Sequence, residues 1–335
     1  MRNAGYFTGV VGKWALGPPS SDGAPLKQGF DYFFGYPTQV AAHNYFPETI
    51  MENGRRIPMS GNSASGELNI SAVRKVYSAE VIHERALAFI GKYQERPFYL
   101  QLDYSLPHVN NELHKMTGNG FEVPEDSRYA ERDWTIQEKD YAEMVSLMDD
   151  YVGELVAKIH SLGIERNTLI IFTSDNGPTG VRGRPSLERF GSTAGLRGMK
   201  GMVFEGGIRV PMIAWWPGKI AAGASTEEVT TFWDVLPTFA ELVGRPDLIM
   251  GDGQSFASVM FGDGQMPRER LLYWAVRDRK AVRYGDWKWV HHPMDNRSDF
   301  LFNIVDDPNE LTNLASKNPE VMSRLQKMAD EVVAN

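Results

Sequence analysis

An Asp-Asn pair gives the clearest sign of chemistry in this sequence. Asp175 and Asn176 stand in the stretch SDNGP at 174–178, directly after an apolar run at 169–173 that is typical of a buried strand. Open α/β sheets bind ligands beyond the carboxyl ends of their strands, and carboxylate and amide oxygens are ligands that calcium and magnesium prefer. The same residue types also form plain turns, so a metal site and a turn are both open interpretations.

Two lysines have comparable positions. Lys13, in the stretch GKWALG, follows a β-rich run at 6–11, and Lys200 lies in GMKG at the start of a glycine-rich segment that extends to 211. Glycines permit close backbone approach, and a lysine there can hold an oxygen of an anion as a point charge. A solvated lysine on a surface loop is the alternative for each.

Two histidines complete the set of candidates. His108 follows the apolar stretch PFYLQLDYS and is a candidate general acid, although a lone histidine is more often a hydrogen-bonding residue. His43, in a loop rich in aromatic residues, is a weaker candidate. Two lysines, one histidine and the Asp-Asn pair therefore fall just after predicted strands, and that collection suits a small tetrahedral anion held against a divalent cation.

Composition narrows the classes of partner. The 335 residues carry a net charge of −8, which argues against a nucleic-acid partner because phosphate binding needs a basic surface. The absence of cysteine excludes disulfides, Cys-ligated zinc and a thiol nucleophile. No apolar run has membrane-spanning length, and no pattern indicates a particular oligomeric state.

The elements that must position these residues read as an α/β domain. Apolar spacing predicts helices at 78–93, with Ser78 as the cap, and at 137–162, and strands at 98–105, 169–173 and 210–216. This order predicts a doubly wound, mostly parallel sheet flanked by helices. Residues 17–66 read as loop, with a hairpin at the Asn53-Gly54 turn.

The pattern of apolar residues changes near residue 250. Short alternating runs at 271–276, 281–284, 287–290 and 300–304 predict a small antiparallel sheet, and Asn318 followed by Pro319 predicts the start of a final helix. We therefore divide the chain into a catalytic α/β domain at 1–248 and a C-terminal subdomain at 249–335. We expect the aromatic and basic residues of this small sheet to contribute to a pocket; they are Tyr273, Trp274, Arg277, Arg283, Trp287, Lys288 and Trp289.

At this point the sequence resembles the sulfatase family of the alkaline-phosphatase-like superfamily. The matching stretches cover nearly the whole chain in the family's order; they are AGYFTGVVGKWALG, QGFDYFFGY, YSLPHVN, TSDNGP, LRGMKGMVFEGGIRVP, DVLPT and FNIVDDPNELTNLA. The resemblance implies hydrolysis of sulfate esters, with sulfated sugars or glycans as substrates and a periplasmic or secreted location.

The resemblance also implies roles for the candidates. Asp175 and Asn176 would be two ligands of one calcium ion, and Lys13 and Lys200 would hold the sulfate oxygens. His108 would lie near the leaving-group oxygen and assist its protonation. Fixed cations of this kind stabilise the charge that develops in the transition state.

The sequence departs from the family's pattern in two places. The family's nucleophile is a formylglycine made from the Cys or Ser of a Cys/Ser-x-Pro-x-Arg motif upstream of the GKW segment, and this sequence contains neither that motif nor the family's paired N-terminal aspartates. We therefore expect the catalytic domain to be N-terminally incomplete, and whether this chain is active as it stands stays open. Ala15 replaces a histidine that many members carry, and we hypothesise that His43 takes its place by reaching the cluster of Lys13 and Asp175.

Two other functions stay open. A non-catalytic protein of the same fold would bind anionic glycans, and a phosphate-ester hydrolase of the same superfamily would use similar cations, usually with a second metal. The two lysines suit a sulfate site with one cation better than a two-metal phosphate site.

Overall fold

The computed structural model describes residues 1–124, 127–179, 187–248, 251–293 and 299–334. Its strands are β1 Phe7–Lys13, β2 Tyr32–Tyr36, β3 Thr49–Glu52, β4 Arg55–Pro58, β5 Ser63–Ala64, β6 Ser71–Val73, β7 Phe98–Asp103, β8 Ile170–Thr173, β9 Met212–Trp215, β10 Leu271–Val276, β11 Arg279–Tyr284, β12 Trp287–His291 and β13 Asp299–Asn303. Its α-helices are α1 Ser78–Tyr93, α2 Asn111–Thr117, α3 Ile136–Ser161, α4 Leu187–Phe190, α5 Glu205–Ile208, α6 Val235–Leu242, α7 Ala257–Phe261 and α8 Pro319–Ala334. Short 3₁₀ helices occupy Arg2–Ala4, Ala41–His43, Glu165–Asn167, Phe232–Asp234 and Pro246–Leu248.

The largest sheet has the order β4-β3-β2-β1-β7. Strand β1 is parallel to both β2 and β7, while β3 and β4 extend the sheet as antiparallel strands. The side chains of Val10 and Val11 in β1 are fully buried, as expected for a central parallel strand covered on both faces. The predicted α/β class is confirmed, and the parallel part of this sheet places Lys13 at its carboxyl edge.

The segment at 17–66 is more regular than the sequence indicated. It contains β2, which pairs with β1 from Gly9–Tyr32 to Lys13–Tyr36, so the prediction of a continuous loop was wrong. Aromatic residues, not aliphatic ones, form this strand, and its glycine weakened the strand pattern. The predicted hairpin is confirmed, because Asn53 and Gly54 both have positive φ, of 47° and 85°, between β3 and β4.

Strands β8 and β9 form a separate antiparallel pair within the described residues. Both strands were predicted close to their observed bounds, but the doubly wound order led us to expect them in the parallel sheet. Antiparallel pairing brings the carboxyl end of β8 next to the amino end of β9, through the register Thr173–Met212. The residues that follow β8 therefore meet the glycine-rich segment that precedes β9.

The two long helices of the α/β part begin with different signals. Helix α3 starts at a capping box, in which the Thr135 hydroxyl and the Glu138 carboxylate each bond the other residue's backbone N–H. Helix α1 has the predicted bounds, but Tyr77 occupies its N-cap position. Ser78 does not cap it, because its hydroxyl contacts the carbonyl oxygen of Tyr45 and the hydroxyl of Tyr36.

The C-terminal part is an antiparallel sheet of order β10-β11-β12-β13 with α8 packed on one face. The predicted sheet and helix are confirmed. Tyr273, Trp287 and Trp289 pack in the core beneath α8, and the contribution of this sheet to a pocket stays a prediction. The domain boundary predicted at 248–249 adjoins residues outside the described part and stays a prediction.

None of the described helices is both long enough and apolar enough to cross a lipid bilayer.

Candidate functional site

Lys13 lies where three parallel strands end together. It is the last residue of β1, opposite Tyr36 of β2, and the preceding Gly12 pairs with Asp103 at the end of β7. Gly12 has a φ of 116°, and a Cβ atom at this position would lie 2.0 Å from the carbonyl oxygen of Asp103. Only glycine permits this approach, so the close spacing of β1 and β7 depends on it.

His108 is held by a tight turn after β7. Its backbone N–H donates to the carbonyl oxygen of Ser105 at 2.7 Å, across the cis peptide bond between Leu106 and Pro107. The hydroxyl of Tyr45 lies 2.8 Å from the carbonyl oxygens of both Ser105 and His108. The turn therefore fixes the backbone of His108 beside the same sheet edge as Lys13.

Backbone bonds join the Asp-Asn segment to the loop that carries Lys200. Gly177 N–H donates to the carbonyl oxygen of Gly207 at 3.0 Å, and Lys200 N–H donates to that of Pro178 at 2.9 Å. A Cβ atom on Gly177 would lie 1.9 Å from the carbonyl oxygen of Gly206, so the two segments touch at glycines. The glycine-rich pattern thus brings Lys200 next to the segment that contains Asp175.

The charges of both lysines act on one histidine ring. The pKa of His108 is lowered to about 3, chiefly by burial and then by the positive charges of Lys200 and Lys13. The Nδ1–H of His108 donates to the carbonyl oxygen of Val109 at 2.7 Å, which opposes the shift. Because a carbonyl can only accept, Nδ1 carries the proton and Nε2 carries the lone pair of a neutral ring.

Asp103 belongs to the same cluster, and our sequence reasoning missed it. The pKa of Asp103 is raised to about 6: burial is the largest cause and the charge of Asp175 adds to it, while the hydrogen bond from Gln101 and the charge of Lys13 oppose the rise. These electrostatic contacts connect Asp103 to Lys13 and to Asp175. The sequence offered one signal, because Asp103 lies near the carboxyl end of the strand predicted at 98–105, and the other candidates also follow predicted strands.

His43 lies against His108 and not in direct hydrogen-bond contact with the lysine cluster. The two imidazole rings stack at 5.2 Å between centroids with 8° between their planes. His43 Nδ1 lies 2.9 Å from a carboxylate oxygen of Glu112, and Nε2 lies 3.3 Å from the amide nitrogen of Asn111. Both ring nitrogens therefore face α2, so the proposed replacement for the family's histidine at position 15 gains no direct support from these contacts.

Asp175 and Asn176 alone do not fit a calcium ion. Asp175 is exposed, and the amide nitrogen of Asn176 donates to the carbonyl oxygen of Gly177 at 3.1 Å. Calcium takes six to eight oxygen ligands, and within the described ranges no group of three or more His, Cys, Asp or Glu side chains is arranged to hold a metal ion. The donor chemistry suits calcium, but the set is too small, so these contacts support no metal-dependent step.

The structure therefore brings Lys13, His108, Lys200 and Asp175 to one edge of the molecule, with Asn176 adjoining Asp175 and His43 behind His108. The functional roles of these residues remain predictions. What the arrangement offers chemically is two cationic groups beside a neutral imidazole, with the Asp103 carboxyl group within electrostatic reach of Lys13 and Asp175.

Two family models match this chain. The model described as Sulfatase matches residues 1–245, and the model described as N-sulphoglucosamine sulphohydrolase, C-terminal, matches residues 198–335. Together they span the α/β part and the C-terminal sheet.

Individual proteins give a consistent picture. The chain is 30% identical to human arylsulfatase A over 97% of its own length and 68% of that protein, and 26% identical to an N-acetylgalactosamine-6-O-sulfatase of Bacteroides thetaiotaomicron over 99% and 75%. The crystal structure of Ps i-CgsB in complex with k-i-k-neocarrahexaose is 25% identical, with a TM-score of 0.79 over 98% of this chain and 72% of that one.

Proposed function

The chain belongs to the sulfatase family, and we propose that it hydrolyses sulfate esters of carbohydrates at the edge where Lys13, His108 and Lys200 meet. One observation supports this proposal above the others. The charges of two lysines, from the end of β1 and from the glycine-rich loop, both lower the pKa of the same partly buried imidazole. Two positive charges that converge on one point form a site for a small anion.

The lysines would bind the sulfate group of the substrate. Its non-bridging oxygens carry negative charge throughout the reaction, and each ammonium group can donate to one of them. Such donors are in place before the substrate arrives, so they stabilise developing charge without rearrangement.

His108 would donate a proton to the departing alcohol. Hydrolysis breaks the bond between sulfur and the bridging oxygen, and that oxygen must gain a proton as it leaves. In the resting ring Nε2 has no proton, because Nδ1 holds it against Val109. A bound sulfate group would offset the charges of Lys13 and Lys200 and so raise the pKa of His108, after which Nε2 can take up a proton and pass it to the leaving oxygen.

The substrate class is proposed from the relatives. One of the proteins above is named an N-acetylgalactosamine-6-O-sulfatase, and another was crystallised with k-i-k-neocarrahexaose; this chain is 26% and 25% identical to them. The resemblance also implies calcium and formylglycine, but no step is assigned to either, because the described residues do not complete a calcium site and the sequence contains no formylglycine motif.

Release of 4-methylumbelliferone from its sulfate ester tests the proposal. The Lys200→Ala variant should lower kcat/KM by about 100- to 1000-fold, the usual effect of removing one transition-state donor. Lys219→Ala is the matched control, because Lys219 is exposed beyond the end of β9 that points away from Asp175. Its kcat/KM should equal that of the wild type.

Three results would contradict the proposal. Faster turnover of the phosphate ester than of the sulfate ester would favour a phosphate-ester hydrolase. Binding of a sulfated oligosaccharide without any turnover would favour a non-catalytic glycan-binding protein. Equal turnover by the wild type and Lys200→Ala would show that the lysine loop takes no part.

A further inference from the structure

A buried group of three charges joins the C-terminal sheet to the loop that carries Lys200. Lys288 Nζ lies 2.7 Å from Glu205 Oε1 and 2.9 Å from Glu310 Oε1, and the three residues are at most 3% exposed. Glu205 begins α5, five residues after Lys200, whereas Lys288 belongs to β12 and Glu310 to the segment after β13. We call these residues the buried triad.

The buried triad fixes backbone as well as side chains. The second oxygen of Glu310 accepts from the backbone N–H of Glu205 at 2.7 Å. Glu310 reaches this position through a left-handed backbone, with a φ of 55°, which is unfavourable for a residue with a side chain. Glu310 keeps this strained conformation and thereby holds its carboxylate on the N–H of Glu205, which indicates that the backbone of Glu205 must be held in one position.

Two arginines hold the same loop on either side of Lys200. Arg279, the first residue of β11, donates from Nη1 to the carbonyl oxygen of Gly201. The Arg197 guanidinium lies 4.1 Å from the ring centroid of Phe204 and 4.9 Å from that of Phe300. Its Nη1 also donates to the carbonyl oxygen of Glu310 at 2.9 Å. The C-terminal sheet and the segment after it therefore hold the loop before, beside and after Lys200.

A stability role alone explains the buried triad poorly. Charges lose hydration when they are buried, and replacing a buried ion cluster with apolar groups of similar size often leaves a protein as stable or more stable. Directional bonds, by contrast, hold a backbone in one position, and that is what an anion-binding lysine needs.

We propose that Lys288, Glu205 and Glu310 are positioning residues that set the Lys200 loop in its anion-binding geometry, so that the C-terminal sheet is part of the catalytic machinery. This inference rests on the proposed sulfate site. None of the three residues touches the substrate; they act through the backbone of Glu205 and the short segment that leads back to Lys200.

The test compares two buried ion pairs that both link the C-terminal sheet to the rest of the chain. Arg270, just before β10, pairs with Asp234 at 2.6 Å, and their side chains are 9% and 0% exposed. Asp234 precedes α6 and receives backbone bonds from Thr231 and Gln254, so this pair anchors a different segment. Arg270→Met is therefore the matched control for Lys288→Met.

Binding of inorganic sulfate is measured by calorimetry in one calcium-containing buffer. Lys288→Met should raise the sulfate Kd by about 10- to 100-fold, the usual cost of losing a residue that orients a ligand-binding group. Arg270→Met should change this Kd less than about threefold. The melting temperature should fall in both variants, because each leaves a buried carboxylate without its cationic partner. Amide hydrogen exchange at 198–204 should accelerate in Lys288→Met and stay unchanged in Arg270→Met.

The outcomes separate this inference from the proposed function. If the wild type does not bind sulfate, the proposed site itself is wrong. If the wild type binds sulfate and both variants bind it equally well, the site stands and the positioning role is wrong. Should Lys288→Met not fold, Glu310→Gln leaves the pair of Lys288 and Glu205 intact, and an unchanged sulfate Kd in that variant would equally overturn the positioning role.

Discussion

His108 is neutral in the resting site, which changes its proposed part in the reaction. From the sequence we expected a general acid that protonates the leaving group. Its pKa of about 3 and the bond from Nδ1–H to Val109 leave Nε2 as an acceptor at neutral pH. His108 can act as an acid only after the substrate raises this pKa, so sulfate binding and proton uptake should be coupled.

This coupling predicts a measurable shift at one ring. Inorganic sulfate should raise the pKa of His108, because the anion offsets the charges of Lys13 and Lys200. Lys200→Met should also raise the pKa of His108 without any anion, because Lys200 lowers this pKa more than Lys13 does. Long-range ¹H–¹⁵N spectra of the imidazole nitrogens follow this titration directly.

Lys219→Met serves as the control for that measurement, because Lys219 is exposed at the far end of β9. Its His108 titration should match that of the wild type. If sulfate lowers the pKa of His108, or if both lysine variants shift it equally, the lysines do not share an anion site with this ring.

Residue types and strand ends predicted much of this cluster, but not all of it. Lys13, His108 and Lys200 lie in stretches marked by glycine or proline, which indicate loops. The structure places both lysines close enough for their charges to act on His108. Asp103 was missed because YLQLD reads as a plain buried strand. The pairing of Gly12 with Asp103 places this residue next to Lys13, and the charge of Lys13 acts on its carboxyl group.

At the scale of elements, local signals predicted local structure and failed where partners are distant. Helix α1 and the four C-terminal strands have clear periodicity or turn residues, and the structure confirms them within about two residues. Strand β2 was missed, and the antiparallel pairing of β8 with β9 was not predicted. Pairing depends on segments far apart in the sequence, which periodicity does not encode.

The contact between the Asp-Asn segment and the glycine-rich loop gives a prediction at this scale. Gly177→Ala places a Cβ atom 1.9 Å from the carbonyl oxygen of Gly206, and backbone cannot yield as a flexible side chain would. We expect a loss of about 1–3 kcal/mol in the free energy of unfolding, together with weaker sulfate binding. Urea denaturation and calorimetry measure the two effects.

Gly153→Ala is the matched control. Gly153 is exposed within α3, and a Cβ atom there meets nothing within 4 Å. Alanine favours a helix interior over glycine, so this variant should gain about 0.5–1 kcal/mol and bind sulfate as the wild type does. If Gly177→Ala is as stable as Gly153→Ala, the two segments are not held at the separation seen here.

At the scale of the whole molecule, the C-terminal sheet is joined to the α/β part by contacts that no sequence pattern predicted. Lys288 and Glu205 are 83 residues apart, and in the sequence Lys288 read as one of several basic residues on a binding surface. Its full burial shows that its charge faces inward, toward the loop that carries Lys200. The small sheet thus contributes through its buried polar contacts, while its aromatic residues mainly form the core beneath α8.

Acid stability is the last property of the whole molecule that the site allows us to predict. His108 binds a proton with a pKa near 6.5 when unfolded and about 3 when folded, so the unfolded chain takes up a proton first as the pH falls below 6.5. Stability is then lost toward pH 3, by at most about 5 kcal/mol. Asp103 behaves in the opposite way, because its pKa is 3.8 when unfolded and about 6 when folded. The folded chain takes up that proton first, which adds stability between pH 6 and 4, by at most about 3 kcal/mol.

The two groups therefore oppose each other between pH 6 and 4, and single variants should uncover each of them. Relative to the wild type, His108→Gln should gain unfolding free energy as the pH falls from 6.5 to 4, and Asp103→Asn should lose it from 6 to 4. Urea denaturation across this range measures both differences, in which contributions from the other ionisable groups cancel. Flat difference curves for both variants would mean that the ring and the carboxyl group titrate as they do in water, and the buried, positively charged site inferred here would then be wrong.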